Sequence, residues 1–122
     1  MTFACFDKRS IKVPYKGITF DIMIRLEEED IPIEDTLDLN AEELAQIYRD
    51  IESGNLMYFC AIVKSYYNGM ELGFDSLGCC FYQSMDDFIT NSGYFEDMRN
   101  TVLRQGYEKL EELYVELREF FE

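Results

Sequence analysis

The chain of 122 residues has the composition of one globular domain, with 48% hydrophobic and 30% charged residues. It contains 25 Asp and Glu, 11 Lys and Arg and no His, so its net charge is −14. Such acidity argues against direct binding to nucleic acid or to anionic membranes, because both depend on Lys and Arg. The lack of His removes the commonest general base and metal ligand, which favours a binding protein over an enzyme.

The first predicted element is a β-hairpin. Apolar and polar residues alternate over 11–15 and again over 18–26, which is the period of a half-buried strand. Gly17 marks the turn between the two strands. Pro14 has no N–H to donate to a neighbouring strand, so the first strand is expected at an edge of the sheet.

An acidic link and a helix follow the hairpin. Residues 27–38 contain Pro32 and show no periodicity, which predicts a loop. Asn40 is placed to cap a helix, with Glu43 three residues later as the second half of a capping box. Gly54 predicts the end of this helix. Its apolar residues fall on one face, namely Leu44, Ile47, Tyr48 and Ile51.

A second hairpin has the strongest local signal in the chain. The strands 57–67 and 70–82 flank Asn68-Gly69, the pair preferred in a type I′ turn. Gly73 and Gly78 interrupt the returning strand and predict a bulge or bend. Ser84, with Asp87 three residues later, predicts the start of a short helix around residues 85–89.

The last stretch, 94–121, is predicted to be helical. Its wide apolar stripe favours packing against the sheet over a coiled-coil seam. Gly106 lies within the helix and predicts a kink or a close contact. The stripe consists of Leu103, Tyr107, Leu110, Tyr114, Leu117 and Phe121.

The elements together predict a single domain over residues 1–122. Its class is α+β, in the order ββ-α-ββ-α-α, with an antiparallel sheet of two β-hairpins and helices packed on one face.

Residues with catalytic or metal-binding potential form no recognisable motif. Cys5, Cys60, Cys79 and Cys80 lack CxxC spacing and a partnering His, so we interpret them as small buried apolar residues in a reducing compartment. Residues 35–40 resemble the start of a calcium loop but lack its glycine and closing glutamate. We therefore expect no catalysis, no cofactor and no metal. Without a signal peptide or an apolar run of about 20 residues, we expect a cytoplasmic location and no membrane partner.

The charge is unevenly distributed along the chain. Residues 1–25 carry five basic and two acidic residues, whereas residues 27–52 carry eleven acidic residues and one basic residue. The last helix has Glu108, Glu112 and Glu116 at intervals of four, where like charges repel. Two interpretations remain open, namely solubility and an anionic surface that imitates a row of phosphates.

Aromatic residues offer a second possible contact surface. The chain has 10 Phe and 9 Tyr, which is many for one small core. Filling the core is the simpler interpretation, with interface anchoring as the alternative. The aromatic residues expected to be most exposed are Tyr66, Tyr67, Tyr94 and Phe95.

Part of the second half of the chain resembles small proteins carried by phages and plasmids. The resemblance lies in ELGFDSLGCCFY at 71–82, DDF at 86–88 and GYFEDM at 93–98. In size, acidity and lack of catalytic residues, the chain is similar to anti-CRISPR and anti-restriction proteins, several of which imitate DNA. Because those proteins share no motif, the resemblance implies a kind of function and assigns no site residue.

The leading hypothesis is a non-enzymatic inhibitor from a mobile element. It would bind the basic nucleic-acid-binding surface of a CRISPR-Cas effector or restriction enzyme through a DNA-mimicking face, as a monomer or homodimer. The alternatives are an immunity protein or antitoxin that neutralises a basic nuclease toxin, a small carboxylate enzyme, and a structural protein that dimerises through its last helix. The predicted partner-binding residues are Glu27, Glu28, Glu29, Asp30, Glu34, Asp35, Asp38, Glu42, Glu43, Glu108, Glu112 and Glu116.

Overall fold

Four antiparallel strands form a meander in which each strand pairs with its neighbour in sequence. The computed structural model describes residues 4–122. Both predicted hairpins are present, but the first strand begins six residues earlier than predicted, and the second includes Glu27 and Glu28, which the sequence assigned to the loop, so the link begins at Glu29. The strands are β1 (Cys5–Tyr15), β2 (Ile18–Glu28), β3 (Met57–Tyr67) and β4 (Met70–Tyr82).

Three helices complete the fold and confirm the predicted α+β class. Their order along the chain matches ββ-α-ββ-α-α, with one additional short 3₁₀ turn at Ile33–Asp35 inside the link. Both predicted N-caps are present, because Asn40 accepts a hydrogen bond from the Glu43 N–H and Ser84 from the Asp87 N–H. Of the predicted capping box at Asn40, only this first half forms within the described residues. The helices are α1 (Ala41–Glu52), α2 (Met85–Asn91) and α3 (Tyr94–Phe121).

The turns of both hairpins point toward the same end of the sheet, which we call the hairpin end. Asn68 and Gly69 have φ of 49° and 79°, the two positive values that a type I′ turn requires. Lys16 and Gly17 repeat this pattern with 50° and 82°. The opposite end, which we call the link end, holds the connection 29–56 and the end of β4. Because β2 has 11 residues, the two ends lie about 34 Å apart.

The core lies between one face of the sheet and helices α2 and α3. Alternate residues of the two central strands are buried on this face, as their period of two predicts. Helices α2 and α3 cover them with Met85, Phe88, Phe95, Met98, Val102 and Leu103. The buried sheet residues are Phe20, Ile22, Ile24 and Leu26 of β2 and Phe59, Ala61 and Val63 of β3.

Two glycines allow α3 to approach the sheet closely. A Cβ at Gly73 would lie 2.5 Å from Ser65 Oγ and 2.6 Å from the Val102 carbonyl oxygen. A Cβ at Gly106 would lie 3.0 Å from both the Phe20 ring and Ser65 Oγ. The buried Ser65 hydroxyl donates a hydrogen bond of 2.7 Å to the Val102 carbonyl. Gly106 therefore marks a close contact between helix and sheet.

Both outer strands carry features that modify their free edges. Pro14 lies in β1 at one edge, as predicted. At the other edge, the Phe74 N–H of β4 donates a hydrogen bond of 2.8 Å to the Gln105 side chain of α3. Two register shifts between β3 and β4 confirm the predicted irregularity near Gly73 and Gly78.

Helix α3 is longer than the sheet that it covers. The Tyr107 ring packs edge-on against Tyr15, with centroids 5.9 Å apart, and Lys16 Nζ lies 4.8 Å from the Tyr107 centroid. Residue 107 is therefore level with the hairpin end. Residues 111–121 project beyond it, and we call them the α3 extension. The prediction that the apolar stripe packs against the sheet is confirmed for its first three residues. It is wrong for the last three, Tyr114, Leu117 and Phe121, which are exposed.

Candidate protein-binding interface

Among the predicted partner-binding residues, Glu29 has a structural role. Its Oε2 accepts a hydrogen bond of 2.7 Å from the Cys79 N–H, and its Oε1 accepts from the Asp30 and Ile31 N–H groups at 3.1 and 3.4 Å. Cys79 lies in the bulge of β4 with φ of 57°, an uncommon value for a residue other than glycine. Glu29 therefore joins the start of the link to this bulge.

Glu27 of β2 and Glu34 of the link also have partners within the chain. Glu27 forms an ion pair of 2.6 Å with Arg25, and its side chain is only 20% exposed. Glu34 accepts a hydrogen bond of 2.6 Å from the Tyr48 hydroxyl, which lowers the pKa of Glu34 and raises that of Tyr48. Both carboxylates contribute to local structure as well as to surface charge.

The other predicted acidic residues of this region lie at the end of β2, in the link and at the start of α1, and all of them are exposed. Helix α1 contributes no buried residue to the core. The link is attached to the sheet face opposite α3, where the Tyr58 hydroxyl donates a hydrogen bond of 2.7 Å to the Ile31 carbonyl. We call this group the link acids: Glu28, Asp30, Asp35, Asp38, Glu42 and Glu43.

The glutamates of the last helix form a row along one side of α3. Glu108, Glu112 and Glu116 are exposed, and residues four apart on a helix are separated by about 6 Å along its axis. Their one ion-pair contact in the described chain is Glu112 with Lys109, at 3.7 Å. We call these three residues the glutamate row. At about 100° per residue, the row points nearly opposite to the apolar stripe.

The structure does not bring the link acids and the glutamate row together. The link acids lie at the link end, whereas the glutamate row begins at the hairpin end and continues onto the α3 extension. These two ends are separated by about the length of a strand. Nine of the twelve predicted residues therefore form two acidic surfaces at opposite ends of the molecule, and the role of all twelve in binding stays a prediction.

The cysteines differ from the predicted uniform burial. All four are free thiols, but only Cys80 is buried, Cys60 and Cys79 are half-buried, and Cys5 is exposed. Burial raises the pKa of the Cys80 thiol to about 12 and also raises the pKa of Cys60. The thiolates of these two residues are therefore disfavoured as nucleophiles.

Within residues 4–122, no group of three or more Cys, Asp or Glu side chains is arranged to hold a metal ion. Over the same residues, no helix combines the length and apolar character that crossing a membrane requires.

The exposed aromatic residues are only in part those that the sequence predicts to be exposed. Tyr94 is 53% exposed, as expected, but Phe95 is buried against Phe88, and Tyr67 is half-buried beside the Phe20 ring. Phe95 follows the capping turn of α3 and faces the sheet. Among the aromatic residues of the described part, 4–122, the most exposed are instead Phe120 and Phe121, each 80% exposed at the end of the α3 extension.

Substitution of Glu29 by alanine tests its structural role. We expect E29A to lower the free energy of unfolding by about 2 kcal/mol, because the half-buried Cys79 N–H loses a charged acceptor. The matched control is D30A, which removes an exposed neighbouring carboxylate and is expected to change stability by less than about 0.5 kcal/mol. Urea unfolding of both variants measures the difference, and equal stabilities would contradict the assignment.

Comparison of the chain with protein-family models, curated proteins and solved structures found no match in any of the three.

Proposed function

We propose that the protein is a non-enzymatic inhibitor that binds the basic nucleic-acid-binding surface of a bacterial defence complex, either a CRISPR-Cas effector or a restriction enzyme. The observation that carries the proposal is the glutamate row, in which three exposed carboxylates follow one side of α3 at regular spacing. A basic groove that binds phosphates attracts such a row electrostatically.

The position of the row supports binding to a concave partner. The α3 extension projects beyond the sheet, so the row is accessible from the side and from the tip of the helix. Its spacing of about 6 Å is a coarse imitation of the phosphates along one strand of nucleic acid. Repulsion between glutamates four apart costs a few tenths of a kcal/mol each, a cost that a cationic partner would relieve.

The link acids supply a second anionic surface at the other end of the molecule. Six exposed carboxylates lie on residues 28–43 in this part of the chain, and Arg49 is the only basic residue of the segment 27–52. Because the two surfaces face different directions, one flat partner surface cannot contact both. The proposal assigns the primary contact to the glutamate row, and the link acids contribute to long-range attraction.

Affinity capture combined with displacement tests this proposal. The tagged protein is incubated with a lysate of bacteria that carry CRISPR-Cas and restriction systems, and bound proteins are released with a DNA duplex. We expect the duplex to displace a nucleic-acid-binding complex, and we expect affinity for that purified complex to fall steeply with salt. Capture of a nuclease toxin instead would identify an immunity protein or antitoxin, and salt-independent binding would overturn the electrostatic mechanism.

The location of the charge is tested by two variants of equal net charge. The triple variant E108Q/E112Q/E116Q removes the glutamate row, whereas S76K/T90K/N100K adds three positive charges at exposed positions elsewhere. We expect the first variant to weaken binding to the captured complex about 100-fold, at about 1 kcal/mol for each lost ion pair. The second is expected to bind nearly as well as the wild type. If the two variants bind the complex with equal affinity, net charge alone and not the position of the glutamate row determines binding.

A further inference from the structure

The apolar stripe of α3 continues beyond the sheet without a partner in the described chain. On the α3 extension, Tyr114 is 65% exposed, Leu117 58% and Phe121 80%. These residues continue the spacing of Tyr107 and Leu110, at alternating intervals of three and four. This is the heptad pattern of helices that pair along a seam. The first half of the stripe therefore belongs to the core, whereas the second half, Tyr114, Leu117 and Phe121, forms an exposed apolar line that we call the seam.

A cleft at the start of the seam adds a receptor site. It has a volume of about 430 Å³ and is lined by Ile18, Tyr67, Tyr107, Leu110, Tyr114 and Val115, with the carboxylate-bearing Glu111 as its one charged residue. A cavity of roughly 150 Å³ is enough for one benzene molecule, so the cleft has room for a phenylalanine ring. The same helix carries Phe120 and Phe121 at its tip. A projecting aromatic group and a cleft that fits it thus occur on one chain, about 15 Å apart along α3.

We propose that two copies of the chain pair through the α3 extension in an antiparallel arrangement, with the tip of each helix in the cleft of the other copy. A two-fold axis then places Leu110 opposite Phe121 of the second copy and Tyr114 opposite Leu117 of the second copy. Each of these layers occurs twice. The contact is self-complementary, which is the requirement for a closed dimer.

The charges beside the seam favour the antiparallel orientation. Glu111 and Arg118 occupy equivalent positions on one flank of the heptad, and antiparallel helices bring these flanks together. Each Arg118 would therefore face Glu111 of the second copy, in place of its present partner Glu122 at 3.2 Å. The opposite flank carries Leu113 and Phe120, which would extend the apolar contact.

The sheet excludes the parallel alternative. The part of the stripe from Leu103 to Leu110 already packs against the sheet of its own copy, so parallel helices would force the two sheets into the same space. In the antiparallel pair the two sheets lie at opposite ends. The exposed parts of Tyr114, Leu117, Phe120 and Phe121 would bury about 1,000 Å² from both copies together, near the lower limit for a specific interface.

The dimer is independent of the proposed inhibitory surface. Because the glutamate row points nearly opposite to the stripe, it stays exposed when the seam is covered. Removal of the row is therefore expected to leave the oligomeric state unchanged. Removal of the seam is expected to leave displacement by DNA intact, so each proposal can fail without the other.

Sedimentation equilibrium over a concentration series tests the seam. We expect the wild type to form a dimer, and we expect L117E to weaken dimerisation at least about 100-fold, because the charge would be buried in the seam. The matched control is F74E, at an aromatic residue of similar exposure on β4, and it is expected to dimerise normally. A wild type that stays monomeric up to about 1 mM, or an L117E dimer of unchanged affinity, would overturn the proposal.

A charge exchange tests the orientation. E111R and R118E each place like charges opposite one another in the antiparallel pair, so each is expected to weaken the dimer about tenfold. The double variant E111R/R118E restores opposite charges and is expected to recover wild-type affinity. If the double variant is as weak as the single variants, the antiparallel arrangement is wrong. Circular dichroism of each variant confirms that the helices are retained.

Discussion

Replacement of Gly73 by valine is expected to lower the free energy of unfolding by about 3 kcal/mol. Even one added Cβ would lie 2.5 Å from Ser65 Oγ and 2.6 Å from the backbone oxygen of Val102. Backbone cannot move aside as a flexible side chain can, so α3 must shift away from the sheet. That shift would also break the buried hydrogen bond from Ser65 to Val102. Urea denaturation with linear extrapolation gives the measured value.

The control for this prediction lies three residues away on the same strand. Ser76 is exposed on the opposite side of β4, where a valine meets no helix. We expect S76V to change stability by less than about 0.5 kcal/mol. If G73V and S76V are equally stable, α3 does not pack as closely as the structure indicates.

Truncation of Phe88 to alanine is expected to lower the free energy of unfolding by about 4 kcal/mol. The Phe88 ring is fully buried and makes edge contacts with Phe59, Tyr82 and Phe95, at centroid distances of 5.7, 5.4 and 6.4 Å. These contacts join β3, β4, α2 and α3 at one point. Loss of the ring therefore leaves a cavity shared by four elements, and thermal unfolding is expected to show a lower Tm.

The matched control for Phe88 is Phe74, the same residue type at 49% exposure. F74A removes a ring from the open face of the sheet and leaves no enclosed cavity. Its cost is expected to be below about 1 kcal/mol. Similar losses for F88A and F74A would mean that the aromatic cluster does not determine stability at this point.

Features that depend on neighbouring residues in sequence could be predicted well. Asn68-Gly69 specifies a turn through its own backbone preferences, and Asn40 and Ser84 cap helices through N–H groups three residues away. The period of two in β2 correctly identified the buried residues, because a strand with one buried face must alternate. These signals were sufficient for the α+β class and for the order of the elements.

Features that depend on distant partners could not be predicted in the same way. Glu29 belongs to a run of acidic residues, and nothing in that run indicates that its carboxylate meets Cys79, fifty positions later. The point at which α3 leaves the sheet depends on where the hairpins end in space. The stripe from Leu103 to Phe121 therefore has one continuous pattern in the sequence, although the structure divides it into a packed part and an exposed part.

The open meander has a consequence for aggregation. A sheet with two outer strands presents unpaired backbone groups to which further strands can add, the route by which many proteins form fibres. On β1, Pro14 lacks an N–H and so breaks the row of backbone hydrogen-bond donors. On β4, the Phe74 N–H already donates a hydrogen bond to the Gln105 side chain, and the bulge at Cys79 bends the strand. Growth of the sheet into a polymer is thereby opposed at both edges, and a concentrated solution is expected to resist fibre formation even though 48% of the residues are hydrophobic.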